Sequence, residues 1–114
     1  MLFKKKTLDE KLEKDVKRGD WYALQEKVMG TKEEKLAAAK ALAGSDSQNS
    51  IDLLLRLIDN EDEDIIYAAC ESLRKVGSDH DTADLLARMS KIPEDKTAIR
   101  EEISKTVQEL HHRR

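Results

Sequence analysis

Cysteine, proline, glycine and aromatic residues are all scarce in this sequence of 114 residues. It has one cysteine, one proline, four glycines, one tryptophan, two tyrosines and one phenylalanine. The single cysteine, Cys70, excludes an intrachain disulfide and fits a reducing compartment. No apolar run approaches the roughly 20 residues of a membrane-spanning helix, and Leu2-Phe3 is too short for a signal-peptide core. The expected location is therefore the cytoplasm, with no membrane partner.

A large excess of one charge sign is also missing. The chain carries 21 Lys and Arg against 24 Asp and Glu, a net charge of −3 at pH 7. So mild a charge gives no whole-molecule field that would attract nucleic acid or a membrane. Hydrophobic residues make up 39% and charged residues another 39%. This composition suits an all-α protein whose helices have charged outer faces around an aliphatic core.

An internal repeat is the most informative feature that is present. Residues 51–57 (IDLLLRL) and 83–89 (ADLLARM) align position for position, with Asp52 and Asp84 32 residues apart. A period of this length is typical of stacked helical repeats, in which each unit buries its apolar face against its neighbours. The repeat predicts a right-handed α-α superhelix, a solenoid of about three helical hairpins.

Residues that begin and end helices predict about seven of them. Thr7 with Glu10, and Thr31 with Glu34, have the spacing of capping boxes. Glycines follow several periodic segments, as C-terminal stops do, and Pro93 is expected near the start of the last helix. No stretch shows the alternation of a half-buried strand. The predicted helices span about residues 7–18, 20–29, 31–43, 48–58, 62–76, 80–91 and 94–112.

The second of the two clear repeats carries a family resemblance. Residues 64–69 (DIIYAA), followed by Leu73, resemble the first helix of HEAT-like repeats, and residues 77–86 resemble the second helix. The short repeats of bilin-lyase-type proteins are the most similar variety. Their Val-Arg pair is replaced by Ile65-Ile66 here and is retained as Ile99-Arg100. The resemblance implies a fold rather than a reaction, so lyase activity does not follow from it.

The resemblance also divides the chain, which is predicted to be one domain over residues 1–114. Residues 1–30 are expected to form an N-terminal cap and a degenerate repeat, and residues 31–91 two clear repeats. Residues 94–114 are expected to form a C-terminal capping helix. Because repeat arrays need polar caps over their terminal apolar faces, these ends predict a finished small domain.

A polar strip on the second helices is the best candidate site. Asp52, Arg56 and Asp59 interrupt an apolar segment at positions i, i+4 and i+7, so they share one narrow face. The later repeat has the same strip, and the degenerate copy has a matching pair. In solenoids of this type the second helices usually line the concave surface. The residues predicted to bind a partner are Tyr22, Glu26, Asp52, Arg56, Asp59, Asp84, Arg88 and Lys91.

The strip has two interpretations. Arginine binds carboxylates through two parallel hydrogen bonds, which makes Arg56 and Arg88 the natural anchors for a partner. Alternatively, Asp followed four residues later by Arg forms an ion pair within one helix, worth a few tenths of a kcal/mol. Arg56 could also pair with Asp84 in the next repeat. The strip would then be a structural ladder of salt bridges.

The other groups of polar residues predict neither a metal site nor a catalytic site. An EF-hand loop starting at Asp59 needs Gly at its sixth position and Glu at its twelfth, where this chain has Asp64 and Cys70. Adjacent His111 and His112 point in different directions on a helix and form a poor chelate. No nucleophile motif or phosphate loop is present. No catalytic residue, metal or cofactor is predicted.

The predicted function is therefore a non-catalytic protein-interaction module, an adaptor or regulatory subunit that binds another protein or a peptide. A monomer is expected, with a homodimer as the alternative. An accessory protein that handles a bilin or tetrapyrrole is the alternative function, and an apolar cavity near Trp21 and Tyr22 would favour it. Nucleic acid is the less favoured ligand, because the strip has three positive against four negative side chains.

Overall fold

The computed structural model describes residues 7–113. The predicted domain extends to residues 1 and 114, which lie outside the described residues. Within the described range the chain forms no strand, and the all-α prediction is confirmed. A 3-10 turn, Asp79–Asp81, precedes the sixth of seven helices: α1 Leu8–Arg18, α2 Trp21–Val28, α3 Lys32–Leu42, α4 Gln48–Ile58, α5 Glu63–Val76, α6 Thr82–Met89 and α7 Thr97–His111.

Side-chain caps fix where several helices begin. At Thr31 the predicted capping box forms completely: Glu34 N donates to Thr31 Oγ1 at 3.2 Å, and Thr31 N donates to Glu34 Oε1 at 2.9 Å. Thr7 Oγ1 accepts from Glu10 N in the same way at 3.2 Å. The end of α1 depends on Gly19, whose φ of 69° is the left-handed conformation that glycine adopts without a steric penalty.

The predicted boundaries of the last two helices are wrong. A 3-10 turn occupies the start of the predicted sixth helix, and α7 begins at Thr97 rather than at residue 94. Pro93 lies in a turn, where its carbonyl accepts from Lys96 N at 3.0 Å. Arg100 Nη1 donates to the carbonyls of Met89, at 2.9 Å, and Ile92, at 2.8 Å. Because the guanidinium satisfies these carbonyls, the backbone can leave the helix before the proline.

The helices form two layers. Helices α1, α3, α5 and α7 pack side by side in sequence order, and α2, α4 and α6 form the second layer. Each second-layer helix packs on the first-layer helix that follows it in the chain. The molecule measures 54 × 31 × 21 Å, so the helical hairpins are stacked along one long axis. This is the arrangement of helical hairpins that the internal repeat predicts.

Small residues allow the first-layer helices to approach closely. Ala38 and Ala39 of α3 and Ala69 of α5 have no exposed surface. The hydroxyl of Ser72 on α5 donates to the carbonyl of Ala39 at 2.6 Å, so a hydrogen bond joins the two helices inside the core. A partly buried ion pair from Arg74 Nη1 to a carboxylate of α7, at 2.8 Å, joins α5 to its other neighbour.

Equivalent positions of the two clear repeats differ in burial. Leu54 of α4 is 0% exposed, whereas Leu86, its equivalent on α6, is 45% exposed. Ile51 of α4 is likewise buried, and Ala83 at the corresponding place on α6 is exposed. Helix α4 has neighbours in its own layer on both sides, α2 and α6. In the described chain α6 has such a neighbour on one side.

This difference predicts unequal effects of one substitution at two equivalent sites. Leu54→Ala should lower the free energy of unfolding by about 2–5 kcal/mol, because it removes buried methyl groups and leaves a cavity. Leu86→Ala, the matched control, should cost less than about 1 kcal/mol. Urea denaturation followed by circular dichroism measures both. Equal losses of unfolding free energy in the two variants would contradict the exposed position of Leu86 on α6.

The capping box at Thr31 generates a prediction about pH. The hydrogen bond from Lys27 Nζ, at 2.8 Å, and that from the Thr31 amide lower the pKa of Glu34 from its ordinary 4.5 to about 2. Folded Glu34 therefore stays ionised where unfolded Glu34 takes up a proton. Its stabilising effect is complete above about pH 4.5 and is lost as the pH falls towards 2.

Glu34→Gln keeps an oxygen for the capping box but removes the charge that pairs with Lys27. We expect its urea midpoint to lie below that of the wild type near pH 6 and to converge with it near pH 2. Glu33→Gln removes the same charge from the same helical turn and is the control, because Glu33 has no recorded ion pair among residues 7–113. A constant difference across the pH range would show that the charge of Glu34 is not responsible.

Candidate functional site

The eight residues of the predicted site lie outside the core, and we call them the second-layer strip. Seven of them are exposed, and Arg88 is partly buried. On α4, Asp52 and Arg56 face solvent while the apolar residues around them are buried. Tyr22 is 79% exposed on α2. The strip consists of Tyr22, Glu26, Asp52, Arg56, Asp59, Asp84, Arg88 and Lys91.

Arg88 forms a bridge between α4 and α6. Its Nε donates to Asp84 Oδ1 at 2.6 Å, one turn earlier on the same helix. Its Nη1 donates to Asp59 Oδ2, at the C-terminal end of α4. One salt bridge between the repeats therefore exists, and it joins Arg88 to Asp59. The suggested pair of Arg56 with Asp84 is wrong.

The charge of Arg88 is stabilised by these partners. Partial burial works to lower the pKa of its guanidinium, but the hydrogen bond to Asp84 and the charge of Asp59 outweigh that effect and raise the pKa. Arg88 is therefore a permanent cation with two carboxylates already bound to it. Two of its five N–H donors are occupied within the chain.

Arg56, at the centre of the strip, differs from Arg88. Within residues 7–113 its guanidinium has no hydrogen bond or ion pair. Asp52, one turn earlier, accepts instead from Gln48 Nε2 at 2.8 Å. The repeat predicts that Arg56 and Arg88 are equivalent anchors, whereas the structure leaves the guanidinium of Arg56 free and pairs that of Arg88 with two carboxylates.

A cleft opens beside Arg88, between the α4–α5 turn and the α6–α7 loop, and we call it the inter-turn cleft. Its volume is about 690 Å³, within the range of small-molecule binding sites. Its floor is apolar, and its walls are charged. The lining residues are Ile58, Asp59, Asn60, Glu61, Glu63, Ile66, Arg88, Lys91, Ile92, Pro93, Lys96 and Ile99.

The two walls of the inter-turn cleft have opposite charge. The α4–α5 turn contributes the acidic wall, and the α6–α7 loop with the end of α6 contributes the basic wall. Asp59 and Arg88 neutralise each other at one side. The remaining charged lining residues have no recorded ion pair among the described residues; they are Glu61, Glu63, Lys91 and Lys96.

The carboxylates of the acidic α4–α5 turn have two different roles, since some cap or pair with helices and the others line the cleft. Asp62 caps α5 by accepting from Asp64 N at 3.0 Å, and Asn60 Oδ1 accepts from Asp62 N at 2.9 Å. Lys32 of α3 pairs with Asp62 at 3.1 Å and with Asp64 at 2.9 Å. The carboxylates at alternate positions of the turn therefore hold α3 and α5 together. Glu61 and Glu63, which alternate with these two aspartates along the chain, line the cleft.

The cleft was missed at the level of sequence. Lys96 lies in a loop where the sequence predicts the start of the last helix, and Pro93 directly precedes that predicted start. Only the packing of α4 beside α6 brings these two connections together. The available signal was Arg100, the retained member of the Val-Arg pair, which holds the loop in place through the carbonyls of Met89 and Ile92.

The other candidates remain structural. Burial raises the pKa of the Cys70 thiol to about 11, so the group is a neutral core side chain at ordinary pH. His111 Nδ1 lies 3.0 Å from Asp79 Oδ1 at the surface. Across residues 7–113, no three His, Cys, Asp or Glu side chains are grouped so that they could hold a metal ion. No helix in that range is both long and apolar enough to cross a membrane.

Comparison with known proteins agrees with the two-layer arrangement of hairpins. A family model described as HEAT repeats matches residues 30–104, more than half of the chain. The chain belongs to the HEAT-repeat family. Comparisons with curated proteins and with solved structures gave no significant match. HEAT repeats commonly mediate protein-protein interaction and are generally scaffolds rather than catalysts.

The bridge through Arg88 makes a measurable prediction. In a double-mutant cycle of Arg88→Ala and Asp59→Ala, the coupling energy should be about 0.2–1 kcal/mol, as for other surface ion pairs. Arg56→Ala should change the free energy of unfolding by less than about 0.5 kcal/mol, because no intramolecular bond is lost. Urea denaturation measures these four variants and the Arg56→Ala/Asp59→Ala double variant. Coupling of Asp59 to Arg56 rather than to Arg88 would overturn the assignment.

Proposed function

We propose that this HEAT-repeat chain is a non-catalytic adaptor or regulatory subunit that binds another protein on the second-layer strip. The observation that supports this most directly is the free guanidinium of Arg56. It faces solvent, while the neighbouring side chains of the same helix are apolar and buried. A guanidinium has five donors in a planar fork that matches a carboxylate. Within the described chain these donors are available to a partner.

The rest of the strip supplies what an interface needs around such an anchor. Tyr22 offers a large ring, 79% exposed, with a polar tip, and tyrosine and arginine are enriched among residues that dominate binding energy. Asp52, one turn before Arg56 on α4, and Glu26 on α2 add negative charge to the strip, which would orient a partner carrying both signs. Arg88 links α6 to the end of α4 within this surface.

The alternative functions have less support. A tetrapyrrole-handling role was tied to an apolar cavity near Trp21 and Tyr22, but Trp21 packs against the core and the ring of Tyr22 faces solvent. Binding of nucleic acid along the strip would require a surplus of Lys and Arg, and the strip is richer in acids. We propose a cytoplasmic monomer, with sedimentation equilibrium to distinguish it from a homodimer.

Site-specific photocrosslinking tests the proposed face. A benzophenone amino acid at position 22, on α2, should capture a discrete partner in the native host, whereas one at position 108, on α7, should not. Arg56→Ala should lower the yield at position 22 at least about tenfold, because about 1.4 kcal/mol corresponds to each factor of ten in affinity. A charge-assisted hydrogen bond is worth at least that much.

Lys105→Ala is the matched control, since it removes one exposed cation from the first layer. Circular dichroism must show equal helicity for all variants. Undiminished capture by the Arg56→Ala variant, or capture at position 108 alone, would refute the second-layer strip as the binding face.

A further inference from the structure

The inter-turn cleft combines three features that simple surface charge does not explain. It has an apolar floor, two walls of opposite charge, and a shape held by the chain's own hydrogen bonds. On one side, Asn60 and Asp62 fix the α4–α5 turn. On the other side, Arg100 fixes the α6–α7 loop through two backbone carbonyls. The cleft is therefore formed before any ligand arrives.

The charges identify the kind of occupant. Asp59 and Arg88 satisfy each other, which leaves one uncompensated acidic pair and one uncompensated basic pair facing each other. A ligand of a single charge sign would be attracted by one wall and repelled by the other. A ligand with both signs and an apolar group between them would be complementary to both walls and to the floor.

We propose that the inter-turn cleft binds a short extended segment of a partner protein, with one apolar side chain between an acidic and a basic residue. The apolar side chain of the ligand contacts Ile92 and Pro93, the two apolar lining residues that are not fully buried. The acidic residue pairs with Lys91 and Lys96, and the basic residue with Glu61 and Glu63. The inference rests on the proposed function in that the ligand is a protein segment, but it concerns this cleft and not Arg56.

Defined peptides test the proposal without knowledge of the natural partner. The probes are fluorescein-labelled decapeptides in a Gly/Ser background, with a central leucine flanked by two residues on each side. Two mixed peptides have one acidic and one basic flank, in either order. Two same-sign peptides have both flanks acidic or both basic. A further mixed peptide has serine in place of the central leucine. At least one mixed order should bind, and the same-sign and serine peptides should bind at least about tenfold more weakly, the usual effect of lost charge and apolar contacts.

Charge reversal in the protein gives the sharper result. Lys91→Glu/Lys96→Glu makes both walls acidic, so this variant should lose the mixed peptide and gain the one with two basic flanks. Glu61→Lys/Glu63→Lys should do the opposite and gain the peptide with two acidic flanks. Lys75→Glu/Lys105→Glu changes the net charge by the same amount as Lys91→Glu/Lys96→Glu. It does so at exposed positions of the first layer and is therefore the control. Its preference should remain that of the wild type.

Amide chemical shifts locate the bound peptide. Shifts confined to residues 59–66 and 88–99 support the proposal. Shifts centred on Asp52 and Arg56 would overturn it, yet would agree with the proposed function, which photocrosslinking at position 22 tests separately. Loss of self-association in the Lys91→Glu/Lys96→Glu variant would show that a second copy fills the cleft and would also overturn it. Failure of every peptide to bind would have the same consequence, whatever the crosslinking result.

Discussion

Helix α4 is apolar around most of its circumference, and the arrangement of the other helices follows from the need to cover it. Leu54, Leu57 and Ile58 are at most 2% exposed. Burying each such side chain is worth about 1.5–3 kcal/mol, so a helix of this kind must be enclosed on several sides. Its contacts with α2, α3, α5 and α6 provide that enclosure. The face that stays open is the narrow one that carries Asp52 and Arg56.

Charged residues in this molecule fall into two groups with different roles. One group is paired inside the chain: Lys27 with Glu34 at a helix start, Lys32 with the acidic turn, and Arg88 with α4. These pairs connect elements that are distant in sequence or close a cap. The second group, which includes Arg56, faces solvent without a recorded ion pair among the described residues. This second group supplies the charges that we propose for binding a partner.

The proposed surfaces are neighbours, since Arg88 belongs to the strip and also lines the cleft. A partner that places an anchoring carboxylate on Arg56 and an extended segment in the inter-turn cleft would contact both proposed surfaces at once. Two linked contacts of modest strength raise the overall affinity beyond either alone, provided the linker spans the distance between them. HEAT repeats suit such partners because their rigid helices hold separate contact points at fixed spacing.

Local sequence determined the helices, their caps and the exposed position of the strip. Thr31 with Glu34 has a reciprocal hydrogen-bonding geometry that short-range spacing predicts, and the placement of Arg56 opposite an apolar face follows from helical periodicity. The tertiary structure decided the rest. Leu54 and Leu86 occupy equivalent positions of the repeat, but the packing of the helices buries Leu54 and leaves Leu86 exposed. Likewise, Arg56 and Arg88 each follow an aspartate by four residues, but only Arg88 has a partner across the interface, at the end of α4. The inter-turn cleft depends on two connections far apart in the chain, so no local pattern specifies it.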